Sequence, residues 1–150
     1  MDNKQTLTLH RIFHAPPERV FRAFTDAAAL CKWLAPNGYT AKINQFEPID
    51  GGQYSITLTN FSNGDIFHFK GQYVEILPNR KIRYTDQLCD EDKEISGSIT
   101  EKTIEITPSF MGTEVHITQT GLLEVQPREA CYLDWQQSLH LLGCLINPEY

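Results

Sequence analysis

Pro127-Arg128-Glu129-Ala130-Cys131-Tyr132-Leu133-Asp134-Trp135-Gln136-Gln137-Ser138-Leu139-His140-Leu141-Leu142-Gly143-Cys144-Leu145-Ile146 is the stretch that decides the fold. Proline is tolerated at the opening of a helix, because the N–H it lacks would be unpaired there. Asn147-Pro148 ends the segment, since proline cannot continue a helix. Between those limits Trp135, Leu139, Leu142 and Ile146 recur at spacings of four, three and four, which lays a continuous apolar stripe along one side. At 1.5 Å per residue the helix runs roughly 28 Å, enough to cross a whole sheet. The question is then what that stripe lies against.

The upstream residues supply strands. Leu7-Thr8-Leu9-His10-Arg11-Ile12-Phe13 alternates, which predicts a first strand. Ala15-Pro16-Pro17 stops it. From Glu18 the apolar residues Val20, Phe21 and Phe24 take helical spacing, and Thr25-Asp26 can cap a second short helix carrying Leu30, Trp33 and Leu34. After Pro36-Asn37-Gly38 the period drops to two. Residues 39–48 alternate, Gly51-Gly52 turns the chain, and Tyr54, Ile56 and Leu58 share a strand face. Asn63-Gly64 predicts a two-residue type I′ hairpin, whose central positions both need positive φ. Residues 65–77 follow as a long strand, with Phe67, Phe69 and Tyr73 on one side and Ile66, Val74 and Ile76 on the other. Pro78-Asn79 turns into Ile82 and Tyr84, and Asp90–Glu94 reads as a solvated loop. Ile104, Ile106 and Phe110 alternate, Met111-Gly112 turns, and Val115 and Ile117 close the series. The order is strand, two short helices, antiparallel meander, long helix: an α+β domain whose sheet grips a helix.

Size and charge narrow the function. A chain of 150 residues buries roughly 68–70% of its unfolded surface, so a substantial core is expected of a single domain. With 41% hydrophobic and 21% charged residues the composition is globular rather than disordered. A net charge of −6 argues against nucleic acid and against anionic membrane surfaces, which need clustered Lys and Arg. The densest basic group, Arg80, Lys81 and Arg83, reads as a solvated edge. No apolar run approaches a membrane span, and Met1–Gln5 is too polar for a secretory signal. Cys31, Cys89, Cys131 and Cys144 form no C-x-x-C pair, which with the polar N-terminus suggests free thiols and a cytoplasmic protein.

Chemistry-bearing patterns are sparse. His10, His14, His68, His116 and His140 are the obvious general-base candidates near neutral pH. His140 and Cys144 stand one helical turn apart, but no third ligand has recognisable spacing. The acidic run lacks the glycine and alternation of a calcium loop. No nucleophile elbow, phosphate-cradling glycine loop or Cys/His signature is present. The expectation is no metal, no cofactor and no catalytic residue set.

Several ordered motifs carry a resemblance. Arg11-Ile12-Phe13-His14-Ala15-Pro16 precedes Val20-Phe21-Arg22-Ala23-Phe24-Thr25-Asp26, then Trp33-Leu34-Ala35-Pro36. Gly51-Gly52 with Tyr54 follows, then Gly71-Gln72-Tyr73-Val74-Glu75-Ile76 with Pro78, and last Trp135 with Leu139 and Leu142. Together they resemble the SRPBCC (START-like) superfamily, in the branch named after the C-terminal domain of the activator of the heat-shock chaperone ATPase. The likeness runs from about residue 8 to 145. It implies a helix-grip fold: a curved antiparallel β-sheet wrapped around a long C-terminal α-helix, with two short helices after the first strand. It also implies a cavity between sheet and helix that in the superfamily holds lipids, sterols, polyketides or other apolar molecules. Two departures stand out. The branch often has arginine two positions before the double glycine, where this chain has Ile49, with Glu47 upstream, so a more apolar cavity is expected. Glycine usually precedes the helix tryptophan, where this chain has Asp134.

The expected ligand-contacting residues are Trp33, Phe46, Phe67, Phe69, Tyr84, Phe110, Trp135 and Leu139, with simple core packing as the competing reading for each. The leading functional expectation is a carrier or sensor of an apolar small molecule. Burying about 200–300 Å² of such a ligand contributes about 5–8 kcal/mol before association costs. A polyketide cyclase-like enzyme using the same cavity is the second reading, signalled by a polar group in the cavity with no structural partner; His68, Tyr84 and Asp134 are the first to inspect. A chaperone ATPase co-regulator is the third. Exposed strand edges leave a homodimer open.

Overall fold

The computed structural model describes residues 6–35, 38–90, 93–121 and 128–146, and the side chains of all of these except 88–90, 93–98 and 128–134. The elements follow the predicted order: β1 (Thr6–Phe13), α1 (Pro17–Thr25), α2 (Ala27–Trp33), β2 (Tyr39–Phe46), β3 (Gln53–Asn60), β4 (Ile66–Leu77), β5 (Lys81–Asp90), β6 (Lys93–Ser109), β7 (Gly112–Thr120) and α3 (Arg128–Ile146). The seven strands form one curved sheet in the order β1-β7-β6-β5-β4-β3-β2. Every neighbouring pair is antiparallel. Thus β2 to β7 meander, and β1 closes on β7 with His10 opposite His116.

Local chemistry explains the helix starts. Pro17 opens α1. The Asp26 carboxylate accepts from the Ala29 N–H at 3.0 Å and so caps α2, while Thr25 turns its hydroxyl back to the Phe21 carbonyl. Pro127, read as the opening of α3, lies outside the described residues. The predicted stripe of α3 is buried: Trp135, Leu139, Leu142 and Ile146 are 8%, 2%, 0% and 4% exposed. It packs with α1, α2 and β1, over a core that includes Leu7, Leu9, Phe13, Val20, Ile104, Val115 and Ile117.

Two turns differ from the sequence expectation. The β3–β4 hairpin forms, but not through a two-residue type I′ turn: Gly64 has φ +82°, and Asn63 is not among the positive-φ residues. The loop is longer. The Asn60 side chain accepts from the Ser62 N–H at 2.9 Å, and the Asn60 carbonyl accepts from Gly64 at 2.7 Å. An asparagine that organises the following backbone thereby moves the turn upstream of Asn63-Gly64. The acidic run is also less of a loop than expected, because Asp90 pairs with Lys93 and Cys89 with Glu94 as strand residues. Ladder bonds use backbone groups, so charged side chains do not forbid them; Glu91 and Asp92 lie outside the described residues.

Candidate functional site

Strand parity builds the floor of a pocket. Extending the buried alternation of each strand places Tyr54, Ile56 and Leu58 of β3, Phe69 and Tyr73 of β4, and Ile82, Tyr84 and Asp86 of β5 on one face. Thr100 and Lys102 of β6 and Gln119 of β7 share it, and all of these line the pocket. The walls come from the helices: Phe24 of α1, Leu30 and Trp33 of α2 with Leu34 just beyond, and Trp135 and Ser138 of α3. The pocket, open on one side, has a volume of about 190 Å³.

Three tyrosines occupy the centre of the floor. Tyr73 and Tyr84 are direct cross-strand partners, and Tyr54 joins them, with ring centroids 5.6 to 5.8 Å apart in all three pairs. Tyr54 is placed by a glycine. Its ring crosses β4 at Gly71, its own strand partner, where a Cβ would come within 2.7 Å of the ring and overlap the Thr85 carbonyl. With that path open, the Tyr54 hydroxyl reaches β5 and donates to Asp86 Oδ1 at 2.6 Å, close to the Thr85 carbonyl at 3.0 Å.

A charged pair stands at the same end. The β5–β6 register sets Tyr84 opposite Lys102 and Asp86 opposite Thr100, making Asp86 and Lys102 diagonal neighbours within side-chain reach. Lys102 Nζ donates to Asp86 Oδ2 at 3.0 Å, with side chains 18% and 12% exposed. The ammonium also sits 5.8 Å from the Tyr84 ring centre and 5.6 Å from that of Trp135, within cation–π range of both. Thr100 donates to the Asp86 carbonyl.

The two tryptophans spend their N–H groups on the protein and leave ring surface to the pocket. Trp33 Nε1 donates to the Ala23 carbonyl at 2.9 Å, and its ring meets Phe24 edge-on at 4.9 Å. Trp135 Nε1 donates to Gln119 Oε1 at 2.8 Å. Ser138 donates to the Leu34 carbonyl at 3.0 Å, tying α3 to the end of α2.

By contrast, no hydrogen bond holds the hydroxyls of Tyr73 and Tyr84 among the described residues, although no buried side-chain polar atom is stranded there. Both side chains line the pocket, and neither hydroxyl oxygen is sealed off from its surroundings. Burial is the main reason all three phenols lie above the usual tyrosine value. For Tyr54 the Asp86 charge adds to it; for Tyr73 its tyrosine neighbour and Asp86 do; for Tyr84 the Lys102 ammonium opposes it in part. Each tyrosine is a neutral O–H group at physiological pH.

Of the residues singled out from sequence, Trp33, Phe69, Tyr84 and Trp135 meet at this pocket. Four others do not. Phe46, on the edge strand β2, packs edge-on against Tyr73 from outside the pocket. Phe67 lies near the open end of β4, 37% exposed beside Tyr39. Phe110 stands past the end of β6 on the turn into β7, fully exposed. Leu139 faces the helix core rather than the hollow. Ile49 is 64% exposed on the β2–β3 turn, so its departure from arginine says nothing about the pocket, whose partly buried cation is Lys102. The expectation of a more apolar cavity is corrected accordingly. His68 is bonded to Thr57 at 3.1 Å, and the Asp134 side chain lies outside the described residues. His140 and Cys144 approach to 3.8 Å on the exposed side of α3. Among the described residues no group of three ligands converges as a metal would need, and no helix is long and apolar enough to cross a membrane.

Comparison with known proteins follows the same lines. The family profile described as activator of Hsp90 ATPase homolog 1-like protein matches residues 14–146. A crystal structure of a Chromobacterium violaceum protein is 39% identical, covers 97% of this chain and 99% of its own, and superposes with a TM-score of 0.88. A Staphylococcus epidermidis protein shares the fold at 20% identity and TM-score 0.84, covering 100% of this chain and 94% of its own. A Mycobacterium smegmatis protein does so at 17% and 0.81, covering 97% and 92%. No curated protein matches the chain significantly. The chain belongs to the activator of Hsp90 ATPase homolog 1-like family, within the START-like superfamily that its motifs resemble.

Proposed function

We propose that this protein is a binding module that takes up one small, largely apolar molecule between the sheet and helices α2 and α3. The observation that carries the reading is the composition of the pocket wall. Leu30, Trp33, Leu34, Ile56, Leu58, Phe69 and Trp135 present apolar surface to a hollow of about 190 Å³, and one end of it is polar. A mostly apolar lining with a few converging polar groups is the usual form of a small-molecule site. The volume selects among ligands. It lies below the roughly 300–1,000 Å³ of sites for drug-sized molecules, which favours a single-ring or short-chain compound over a sterol or a two-chain lipid. Free thiols at Cys31 and Cys144 go with an intracellular setting, where reducing conditions maintain them.

Trp33 and Trp135 are the two tryptophans of the chain, and both line the pocket. Titration with an apolar fluorescent probe should therefore quench indole emission saturably, and small aromatic compounds should displace the probe. Absence of saturable binding across a broad set of small apolar compounds would overturn the reading.

Proton-transfer catalysis is a second reading, favoured by one observation: the Tyr84 side chain lines the pocket, its hydroxyl has no hydrogen-bonding partner among the described residues, and the Lys102 ammonium lies over its ring. A phenol held protonated in a water-poor site can stabilise a developing oxyanion. Its test is turnover. A compound that binds and is chemically altered at a rate lost in Tyr84→Phe supports an enzyme; one recovered unchanged supports a carrier.

A further inference from the structure

We propose that the pocket selects an electrically neutral ligand: an apolar body about one ring in size, with a single hydrogen-bond-accepting head such as a ketone or amide, rather than a carboxylate or an amine. This rests on the reading of the pocket as a binding site and states what that site distinguishes.

The charges come first. Among the described residues Asp86 and Lys102 are the charged side chains lining the pocket, and they are bonded to each other at 3.0 Å. Both carboxylate oxygens are engaged, Oδ1 by the Tyr54 hydroxyl and Oδ2 by Lys102. The ammonium is further held over the Tyr84 and Trp135 rings. A ligand carboxylate would have to take Lys102 from Asp86 and leave that carboxylate buried without its partner. A ligand ammonium would have to take Asp86 and strand Lys102. Either exchange sets an uncompensated charge in a poorly solvated place, where desolvation outweighs the gain. A neutral head asks for neither exchange.

Hydrogen bonding then sets the kind of neutral head. The other polar groups of the wall are largely committed. Gln119 accepts from Trp135, Ser138 donates to Leu34, and Thr100 donates to Asp86. The hydroxyls left over are those of Tyr73 and Tyr84, two adjacent phenols on facing strands. A phenol O–H is a good donor, and a carbonyl oxygen has two lone pairs to receive one or both. A site built to hydrogen-bond a ligand group discriminates strongly against an analogue that lacks it. An acceptor head is therefore preferred over a hydrocarbon end.

Four probes of nearly equal size separate these cases: acetophenone, benzoate, benzylamine and propylbenzene. Each is titrated by NMR against the indole N–H signals of Trp33 and Trp135 at neutral pH. Acetophenone should bind at least tenfold more tightly than benzoate or benzylamine, and several-fold more tightly than propylbenzene. Asp86→Asn removes the partner of Lys102, so benzoate should gain at least tenfold relative to acetophenone. Lys102→Gln makes the opposite change and should favour benzylamine; either variant suffices if the other does not fold. Tyr73→Phe with Tyr84→Phe should bring acetophenone down to the affinity of propylbenzene, whose own binding is unmoved. Wild-type preference for benzoate or benzylamine, equal binding of all four, or a charge preference indifferent to both substitutions would overturn the proposal while leaving a binding pocket in place. If no probe shifts either indole, the binding reading itself falls and this proposal falls with it.

Discussion

Lys102→Met and Asp86→Leu, made singly and together, separate what the charged pair does for stability from what it does for the pocket. Breaking a buried pair by removing one partner costs about 3–5 kcal/mol, because the other charge is left without compensation. Here the side chains are 18% and 12% exposed, so water screens part of that, and about 2–4 kcal/mol is expected for each single change. Methionine keeps the stem of Lys102 against Tyr84 and Trp135, and its sulfur suits aromatic neighbours. The loss should therefore report charge rather than packing. The double substitution leaves no charge stranded. Tyr54 retains the nearby Thr85 carbonyl at 3.0 Å, and an apolar pair of similar volume is often neutral or stabilising. The double variant should lie within about 1 kcal/mol of wild type, giving a coupling of at least about 3 kcal/mol. Urea denaturation with an unchanged m-value measures each corner of the cycle. For a domain of this size, each single should also melt lower by roughly 4–16 °C. If the double variant loses as much as the two singles summed, the charges are independent in solution and the geometry assigned to them is wrong.

Other expectations follow from the same floor and its surroundings. All three pocket tyrosines have native pKa values raised by burial, so their contribution is complete below about pH 10 and is lost as pH climbs towards the native values. The unfolding free energy measured by urea titration should fall above about pH 10, by about 1.4 kcal/mol per pH unit for each phenol still protonated in the native state; a flat profile would contradict the burial. Gly71→Ala drives a methyl into the Thr85 carbonyl and the Tyr54 ring and should cost at least about 2 kcal/mol, with perturbed Tyr54 resonances as the local readout. Leu142→Ala, at 0% exposure on the buried side of α3, should cost about 2–5 kcal/mol. Phe110→Ala on its exposed turn should change stability by about 0.5 kcal/mol or less, and a large loss there would mean the turn packs against something.

Why the fold was legible in the sequence and the site only half so has a physical answer. Helix α3 advertised itself through the apolar spacing of Trp135, Leu139, Leu142 and Ile146, and the strands because each alternates. All the site residues chosen from sequence except Leu139 were aromatic, since rings are the usual apolar lining of a pocket. Of these, Trp33, Phe69, Tyr84 and Trp135 line the hollow, Phe46, Phe67 and Phe110 sit at a sheet edge, a strand end and a turn, and Leu139 is in the core. What aromaticity missed was the polar end. Asp86, Thr100, Lys102 and Gln119 look like solvent-facing residues by type. By parity they are not: Asp86 follows Ile82 and Tyr84, Lys102 and Thr100 precede Ile104 and Ile106, and Gln119 follows Val115 and Ile117. Continuing the alternation past the last apolar residue would have placed all four inward. Gly71 gives a quieter signal of the same kind, an inward position without a side chain between Phe69 and Tyr73, which the Tyr54 ring fills.

Those polar positions also bear on why the pocket stays open. Three strands in succession, β5, β6 and β7, end their inward apolar stripe in polar residues, and the register brings these ends together rather than scattering them. Filling that end with Leu or Val would satisfy the hydrophobic demand of α3 and close the hollow, as in an ordinary sheet–helix sandwich. Asp86 and Lys102 resist this, since each is tied to its partner, to Tyr54 or to ring faces, and cannot collapse inward without breaking those bonds. Lys102 Nζ stands between the Tyr84 and Trp135 rings, 5.8 and 5.6 Å from their centres, and in the proposed binding module the pair would serve as a spacer that keeps ring and floor apart. On this account the double variant Lys102→Met with Asp86→Leu, whatever its stability, should have a smaller pocket and weaker affinity for acetophenone than wild type. Stability and binding would then part company at the same two residues, as expected where polar groups are kept in a core for what they admit rather than for what they hold together.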